Sequence, residues 1–388
     1  MSIEKRRKKR DVLLISLSAF FADMGYQAIL AGFPVLLVFV LHEPVYLLGV
    51  VYAVTYGGGA VLGFAGGIIG DRIGRKRTAI AGNIFILLLS LVGLATGAVE
   101  AAALYIMGWW SRDFRSPSRR AMLSDVTNKK ERRWAFGMLH VFDIGGGAIA
   151  VTYLLVLLYL KVPIRTIFIL TALPISISTV CLILVRHRAR PMKQKQIIPL
   201  KKASGSTLKG ILISTALFGF SFYSLGFPIL TIAQESNSSI LGILSYAIYL
   251  AFSAIAGYMI GVYARKLNMV KGLSVFGYGL AAIASLLIAV SYALGLAITF
   301  SYIAIALLGI AVGAIETFEP TIISLLSKKD GEARGMGYLT ASRSIGLFTA
   351  NVGMGLLYEV SPAYSYLYAF VISVTAAATM LYLGRGFG

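Results

Sequence analysis

Twelve apolar segments, most of about 20 residues or more, constrain this chain more than any other feature of it. A helix rises 1.5 Å per residue, so about 20 apolar residues cross a hydrocarbon core roughly 30 Å thick. The segments run over 12–39, 46–69, 79–98, 101–125, 134–159, 163–185, 210–233, 240–263, 272–293, 297–325, 336–358 and 363–384. In lipid every backbone N–H and C=O must find its partner inside the protein, which predicts helices throughout. A hydrophobic share of 58% and a mean hydropathy of +0.81 exclude an ordinary soluble domain. The expected fold class is an all-α membrane protein with twelve transmembrane helices. The first apolar segment is too long for a signal-peptide core and is expected to remain as span 1.

The net charge of +20 would suggest nucleic acid in a soluble protein, but its placement gives another reading. If successive loops alternate sides, two cations, Lys161 and Arg165, fall on one side of the membrane. Arg112, Arg115 and Arg343 lie within spans, and the rest of the 36 Lys and Arg fall at the termini, in loops of the opposite side or, as Arg119 and Arg120 do, at the end of span 4 that faces that side. By the positive-inside rule both termini are cytoplasmic, the chain is a multi-pass protein of the cell membrane, and no nucleic-acid partner is needed. The basic run KRRKKR near the N-terminus is suited to touch anionic lipid of the bilayer. A single cysteine, Cys181, excludes an intrachain disulfide and a Cys-based metal site.

The spans repeat. GFPVL at 32–36 recurs as GFPIL at 226–230, and KKERRWAFGMLHVFDIGGG aligns with KKDGEARGMGYLTASRSIG, pairing Lys129 with Lys329 and Gly137 with Gly337. Two six-helix halves in parallel orientation follow, 1–185 and 210–388, joined by a basic cytoplasmic linker at 186–209 that contains Pro191 and Pro199. Six plus six with a long connector is an architecture in which halves rock around a site near the membrane midplane.

GDRIGRKR at 70–77, with Gly67 before it, resembles the signature between spans 2 and 3 of the major facilitator superfamily. The resemblance extends over the whole chain through the six-plus-six pattern and implies a transporter. It also implies a latch between the halves that favours an outward-facing state, built from Gly67, Asp71, Arg72, Gly74, Arg75 and, from the loop between spans 4 and 5, Arg133. The second copy has Arg265 in place of Asp71 and Asn268 in place of Gly74, so any latch is one-sided. RDFRSPSRRAMLSD in span 4 also resembles a branch of bacterial and archaeal facilitator proteins; Asp125 fits its closing acid, and Arg120 departs from it.

Charge inside the membrane is expensive and marks cavities or proton routes. Counting from the outer end of span 4, Arg112 lies roughly 17 Å down, close to mid-membrane. Arg115 and Arg119 follow on the same face, while Asp113 projects about 100° away from Arg112. Asp23 in span 1 is about 18 Å from its start, with Gln27 one turn on. Asp143 corresponds by repeat to Arg343, and Glu316 and Glu319 share a face of span 10. Asp23 and Arg112 resemble the acid and arginine of proton-coupled drug antiporters and are assigned to proton coupling. DIGGGAIA in span 5 lacks the Gly-Pro of that group's signature. The substrate cavity is assigned to Gln27, Tyr26, Trp109, Asp113, Arg115, Asp143, Glu316 and Arg343. For Arg115, Arg119, Glu319 and Arg343 a structural pairing near the helix ends is the competing reading. The aromatic series Phe218, Phe220, Phe222, Tyr223 and Phe227 reads as packing and cavity wall.

No GxxxxGK[ST], GxSxG or HExxH motif is present, so no enzyme activity, cofactor or metal is expected. The reading is a monomeric secondary active transporter of a small-molecule substrate, coupled to protons or another ion, working by alternating access as an antiporter that exports. A symporter or uniporter for a small polar solute is the alternative, followed by a non-transporting receptor or lipid-handling protein.

Overall fold

The computed structural model describes residues 3–127, 131–186, 205–263, 268–326 and 332–383. Side chains are described there except at 3–7, 132–133, 205–211, 262–263, 320, 323–326 and 332–342. Arg133 and Arg265 therefore lie outside the described side chains. All regular elements among the described residues are helical.

Contacts divide the chain into two compact units, Met1–His42 with Gly58–Gln196, and Glu43–Gly57 with Ile197–Gly388. The first contains α1 (Ile3–Val35, continued by a π-helical turn Leu36–Val40), the later part of α2 (Val45–Ile73), α3 (Arg75–Phe85), α4 (Leu87–Leu91), α5 (Ala98–Val126), α6 (Arg132–Tyr159), α7 (Ile164–Leu170) and α8 (Ala172–Leu184). The second contains the start of α2, α9 (Gly205–Gly219), α10 (Gly226–Ser236), α11 (Ser239–Tyr263), α12 (Met269–Gly272), α13 (Leu280–Leu294), α14 (Ile298–Leu326), α15 (Glu332–Val360) and α16 (Pro362–Leu383).

Nine helical segments among the described residues are long and apolar enough to cross a membrane. The other three expected spans fall short for identifiable reasons. Helix α5 is long enough but carries Arg112, Asp113, Arg115, Arg119 and Arg120. Helix α15 carries Arg343 and Glu359. The segment expected at 210–233 is two short helices, α9 and α10, separated by Phe220–Leu225.

That break has a local cause. Ser221, Phe222, Tyr223 and Ser224 are weak helix formers, and Pro228, which has no N–H to give, sits in the first turn of α10, where none is needed. The Ser224 amide donates to Asn351 Oδ1 (3.1 Å), a side chain standing in for the lost helical acceptor. GFPVL, the related pentapeptide, instead continues α1, with Pro34 inside the helix and the π turn directly after it.

Glycine sets the helix spacing around the charged residues, as small residues do where lipid removes the hydrophobic drive for association. In the first unit Gly66 of α2 faces the backbone of Phe114, Gly70 faces the Ser118 hydroxyl, and Gly82 of α3 faces Arg115. Gly146 of α6 abuts the backbone of Phe20 and Met24 in α1, which fixes α1 against α6. In the second unit Gly309 and Gly313 bring α14 against the backbone of α11, and Gly219 meets Gly346 where α9 crosses α15. Gly49 at the start of α2 packs on Asn351 and Gly355, which assigns this part of α2 to the second unit.

Candidate functional site

Asp23 is 4% exposed in α1, and the Tyr26 hydroxyl one turn later donates to its Oδ1. Its Oδ2 is buried and has no hydrogen-bond partner among the described residues. Arg112 of α5 does not pair with Asp23 directly. Its guanidinium lies 4.8 Å from the centre of the Trp109 ring and 5.6 Å from that of Tyr26, within cation–π range of both. Tyr26 and Trp109 meet edge to face at 5.9 Å. Tyr26 thus touches both the acid, through its hydroxyl, and the arginine, through its ring. Gln27, on the same stretch of α1, lies against Gly147 of α6.

The expectation that Asp113 projects away from Arg112 is corrected: Arg112 Nη1 bonds Asp113 Oδ1 at 2.8 Å. A 100° separation of Cβ directions does not part the tips when one partner has a stem as long as arginine's. Arg119 reaches across to α6 and meets Asp143 at 3.3 Å. Arg115 is fully buried, and its Nη1 donates to Asn83 Oδ1 in α3. Asn83 in turn donates to Thr179 Oγ1 (2.8 Å) and accepts from Ser178 (3.3 Å). Many guanidinium hydrogens in this unit are unused. Arg112 Nε, Arg115 Nε and Nη2, and Arg119 Nε and Nη1 are buried without a hydrogen-bond partner among the described residues.

The signature motif forms a second, more exposed network in the same unit. Arg75 grips Asp71 with Nε (3.1 Å) and Nη2 (3.0 Å), and Asp125 with Nη1 (2.7 Å), tying the ends of α2, α3 and α5. Gly74 has φ +109°, which favours glycine and lets α2 turn directly into α3. Gly67 makes only ordinary contact with Pro117, and Arg72 is exposed. Lys76 caps α8 by donating to the carbonyls of Ile183 and Val185, both at 2.7 Å, a cation at a helix C-terminus.

The second unit has a charged cluster at repeat-related positions. Arg343 of α15 bonds Glu316 (2.5 Å) and Glu319 of α14. Glu319 is fully buried and also accepts from the Tyr278 hydroxyl (2.5 Å), which lies 3.1 Å from Thr215 Oγ1. In the register that pairs Gly137 with Gly337, Arg119 corresponds to Glu319 and Asp143 to Arg343. The two pairs join the same two helices of each repeat with the charges exchanged. Asn83, Tyr278 and Thr215 carry no charge to draw attention in the sequence; Asn83 and Tyr278 have a signal in their place next to Gly82 and Gly277, which bring the helices close, and Thr215 has none.

A cavity of about 170 Å³ opens beside the break between α9 and α10. Ser221, Phe222, Tyr223, Ser224 and Leu225 line it from the break itself. Phe218, Tyr249, Ser285, Val312 and Ser373 complete much of the wall, and no charged residue contributes among the described residues.

Residues 15–302 match the Major Facilitator Superfamily. An uncharacterized MFS-type transporter of Methanocaldococcus jannaschii is 24% identical over 97% of this chain and 96% of its own. Among solved structures, a POT family transporter in complex with a thioalcohol-conjugated peptide superposes with a TM-score of 0.80 at 12% identity, covering 97% of this chain and 96% of that one. A D-xylose-proton symporter superposes with a TM-score of 0.77 at 12% identity over 96% of each chain. A bacterial homolog of the human lysosomal transporter Spinster, in an inward-facing and occupied conformation, superposes with a TM-score of 0.72 at 13% identity over 97% and 96%. The protein is a multi-pass membrane transporter. It belongs to the Major Facilitator Superfamily.

Proposed function

We propose that this protein is a proton-coupled exporter of a small solute, with Asp23 as the proton carrier and Arg112 as its electrostatic partner. The observation carrying this reading is the environment of Asp23: a carboxyl buried within a span, one oxygen held by Tyr26 and the other without a partner. An intramembrane acid of this kind is a proton-relay candidate by default. Tyr26 couples the two halves of the device, because a shift of its ring changes its contact with Arg112 and the hydrogen bond to Asp23 together. Arginine stays charged throughout, so the variable charge is the carboxyl. Of the other residues assigned to the substrate cavity, Gln27, Trp109, Asp113, Arg115 and Asp143 belong to this cluster or its rim, and Glu316 and Arg343 to the second unit's ion pair. With the cations concentrated on one side, both termini face the cytoplasm.

Asp23→Asn tests the assignment. In proteoliposomes it should abolish uphill transport driven by a pH gradient while retaining exchange of substrate between the two sides. Uphill transport with unaltered pH dependence would transfer the role to Asp143 or Glu316.

A further inference from the structure

We propose that a cavity in the first unit, where the start of α1 meets the end of α5 and the start of α6, holds the head group of an anionic phospholipid, one with a single phosphate diester and hydroxyls. The cavity has a volume of about 360 Å³. Lys8, Lys9 and Val12 line it from α1, Val126 and Thr127 from the end of α5, and Glu131 and Trp134 from the start of α6. Its basis is membrane embedding alone, independent of proton coupling and of the direction of transport.

Depth brings lipid within reach. The apolar crossing segments begin at Lys8 in α1 and at Trp134 in α6, so both lining residues stand at the boundary between hydrocarbon and head groups. Trp134 is 52% exposed, and an indole at that level sits among head groups with its N–H as a donor. On the same side of α6, further into the span, Val141 and Ile144 are exposed, a track along which an acyl chain can run from the cavity into the hydrocarbon. Val12 belongs to the apolar core and Val126 packs against it, which closes the floor beneath the polar rim.

The polar groups of the lining select the head. Two lysines against one glutamate leave a single net positive charge among the described lining residues, which one phosphate diester neutralises. Inorganic phosphate, with close to two negative charges, would leave negative charge uncompensated beside Glu131. Lys9 is exposed and enters no ion pair among the described residues. Lys8 has a further interaction of its own, but an ammonium carries three donors. Thr127 gives its hydroxyl proton to the Leu123 carbonyl (2.7 Å), so its oxygen, like the Glu131 carboxylate, is an acceptor. Hydroxyls on the head group meet these acceptors. A zwitterionic head would satisfy Glu131 through its ammonium but bring no net charge to the lysines. The run KRRKKR by itself attracts any anionic surface; the cavity adds a shape and acceptors that diffuse attraction lacks.

Native mass spectrometry of the purified full chain reads the bound lipid, with phosphatidylglycerol and phosphatidylethanolamine of the same acyl chains in competition. Phosphatidylglycerol should be retained preferentially. Lys9→Gln should weaken its binding about tenfold, the scale of one hydrogen bond to a charged group. Arg10→Gln removes the same charge one residue on, from a side chain outside the lining that bonds Asp11 at 3.2 Å, and should leave binding close to wild type. Trp134→Leu should also weaken retention, which keeps the test valid if Lys9→Gln fails to fold, and Trp134→Phe should recover part of the loss. Inorganic phosphate in excess should not displace the lipid. The proposal is overturned if phosphatidylethanolamine competes equally, or if Arg10→Gln costs as much as Lys9→Gln, the mark of diffuse attraction. It is also overturned if neither Lys9→Gln nor Trp134→Leu changes retention, or if inorganic phosphate displaces the lipid, which would make this a site for the free ion.

Discussion

The two units build related charged clusters and finish them differently. In the second unit Arg343 is held by two carboxylates, and the more buried of these, Glu319, is completed by Tyr278. In the first unit Arg119 has one bond to Asp143, Arg115 one to Asn83, and Asp23 one to Tyr26, while five guanidinium nitrogens and a carboxylate oxygen are buried unpaired among the described residues. A buried ion pair that is fully hydrogen-bonded resists rearrangement, since any change strands a charge in low dielectric. A cluster with unused donors has other arrangements of comparable energy available to it. The second cluster therefore reads as a clamp between α14 and α15, and the first as the one free to change partners in the transport cycle proposed above. Helices α1 and α9–α10 divide the work in the opposite sense: α1 runs unbroken and carries the acid, whereas Leu217 stands at the repeat position of Asp23 and the broken helix lines an uncharged cavity.

Removing half of the clamp is expected to have the largest effect. Glu319→Leu leaves Arg343 with Glu316 alone and should destabilise the protein by about 3 kcal/mol, read as a fall in thermal midpoint in detergent. Adding Arg343→Met should recover much of that loss, because it removes the stranded cation and the carboxylate left behind, Glu316, has a side chain that is 53% exposed. A single variant with near wild-type stability would show that the cluster is not a clamp. Asn83→Leu comes next. It removes the only hydrogen-bond acceptor that Arg115 has among the described residues and should cost about 2 kcal/mol, the scale of a hydrogen bond to a charged group. Asn83→Asp should be better tolerated than Asn83→Leu, since it supplies an acceptor and a counter-charge.

Exchanging the polarity of the first pair sharpens the comparison further. Arg119→Glu with Asp143→Arg copies the arrangement of Glu319 and Arg343. If the second unit shows which polarities these helices accommodate, the double variant should stay within about 1 kcal/mol of wild type in unfolding experiments. Its transport should nevertheless fail, because the cluster near Asp23 has lost a cation from α5. Retained transport would reduce Arg119 to a structural element and narrow the working cluster to Asp23, Tyr26 and Arg112.

The sequence was most informative where one physical requirement acts alone. Apolar length located the helices, cation placement suggested an orientation, and the expense of membrane charge drew attention to Asp23, Arg112 and Arg343. It was least informative where tertiary context chooses between outcomes. Gly32-Phe33-Pro34 and Gly226-Phe227-Pro228 are the same triplet, yet one lies inside α1 and the other starts α10. The difference lies in what precedes them: Tyr-Gln-Ala-Ile-Leu-Ala favours a helix more than Phe-Ser-Phe-Tyr-Ser-Leu does, and only the latter has Asn351 to satisfy a freed amide. Partner choice was also hidden. Arg119 and Asp143 lie on consecutive spans joined by a loop, and the neutral partners Asn83 and Tyr278 give no charge signal.

The smallest expected effect lies in the signature motif, and it separates two roles that one residue can have. Arg75 holds Asp71 and Asp125 together, but the Asp71 side chain is 49% exposed and that of Asp125 only 18%. An exposed pair is worth little, whereas a partly desolvated one on a neighbouring helix contributes more. Asp125→Ala should therefore cost about 1 kcal/mol and Asp71→Ala about 0.5 kcal/mol or less. If Asp71 serves only to hold the bend at Gly74, its loss should leave transport close to wild type, in line with that small cost. If it also acts as a conformational latch, as the resemblance of GDRIGRKR implies, transport should fall severalfold at unchanged thermal midpoint, because a ligand-independent shift between states alters rates without unfolding the chain. Measuring the midpoint and the flux on the same preparation decides between these roles, and a midpoint drop as large as that of Asn83→Leu would contradict both.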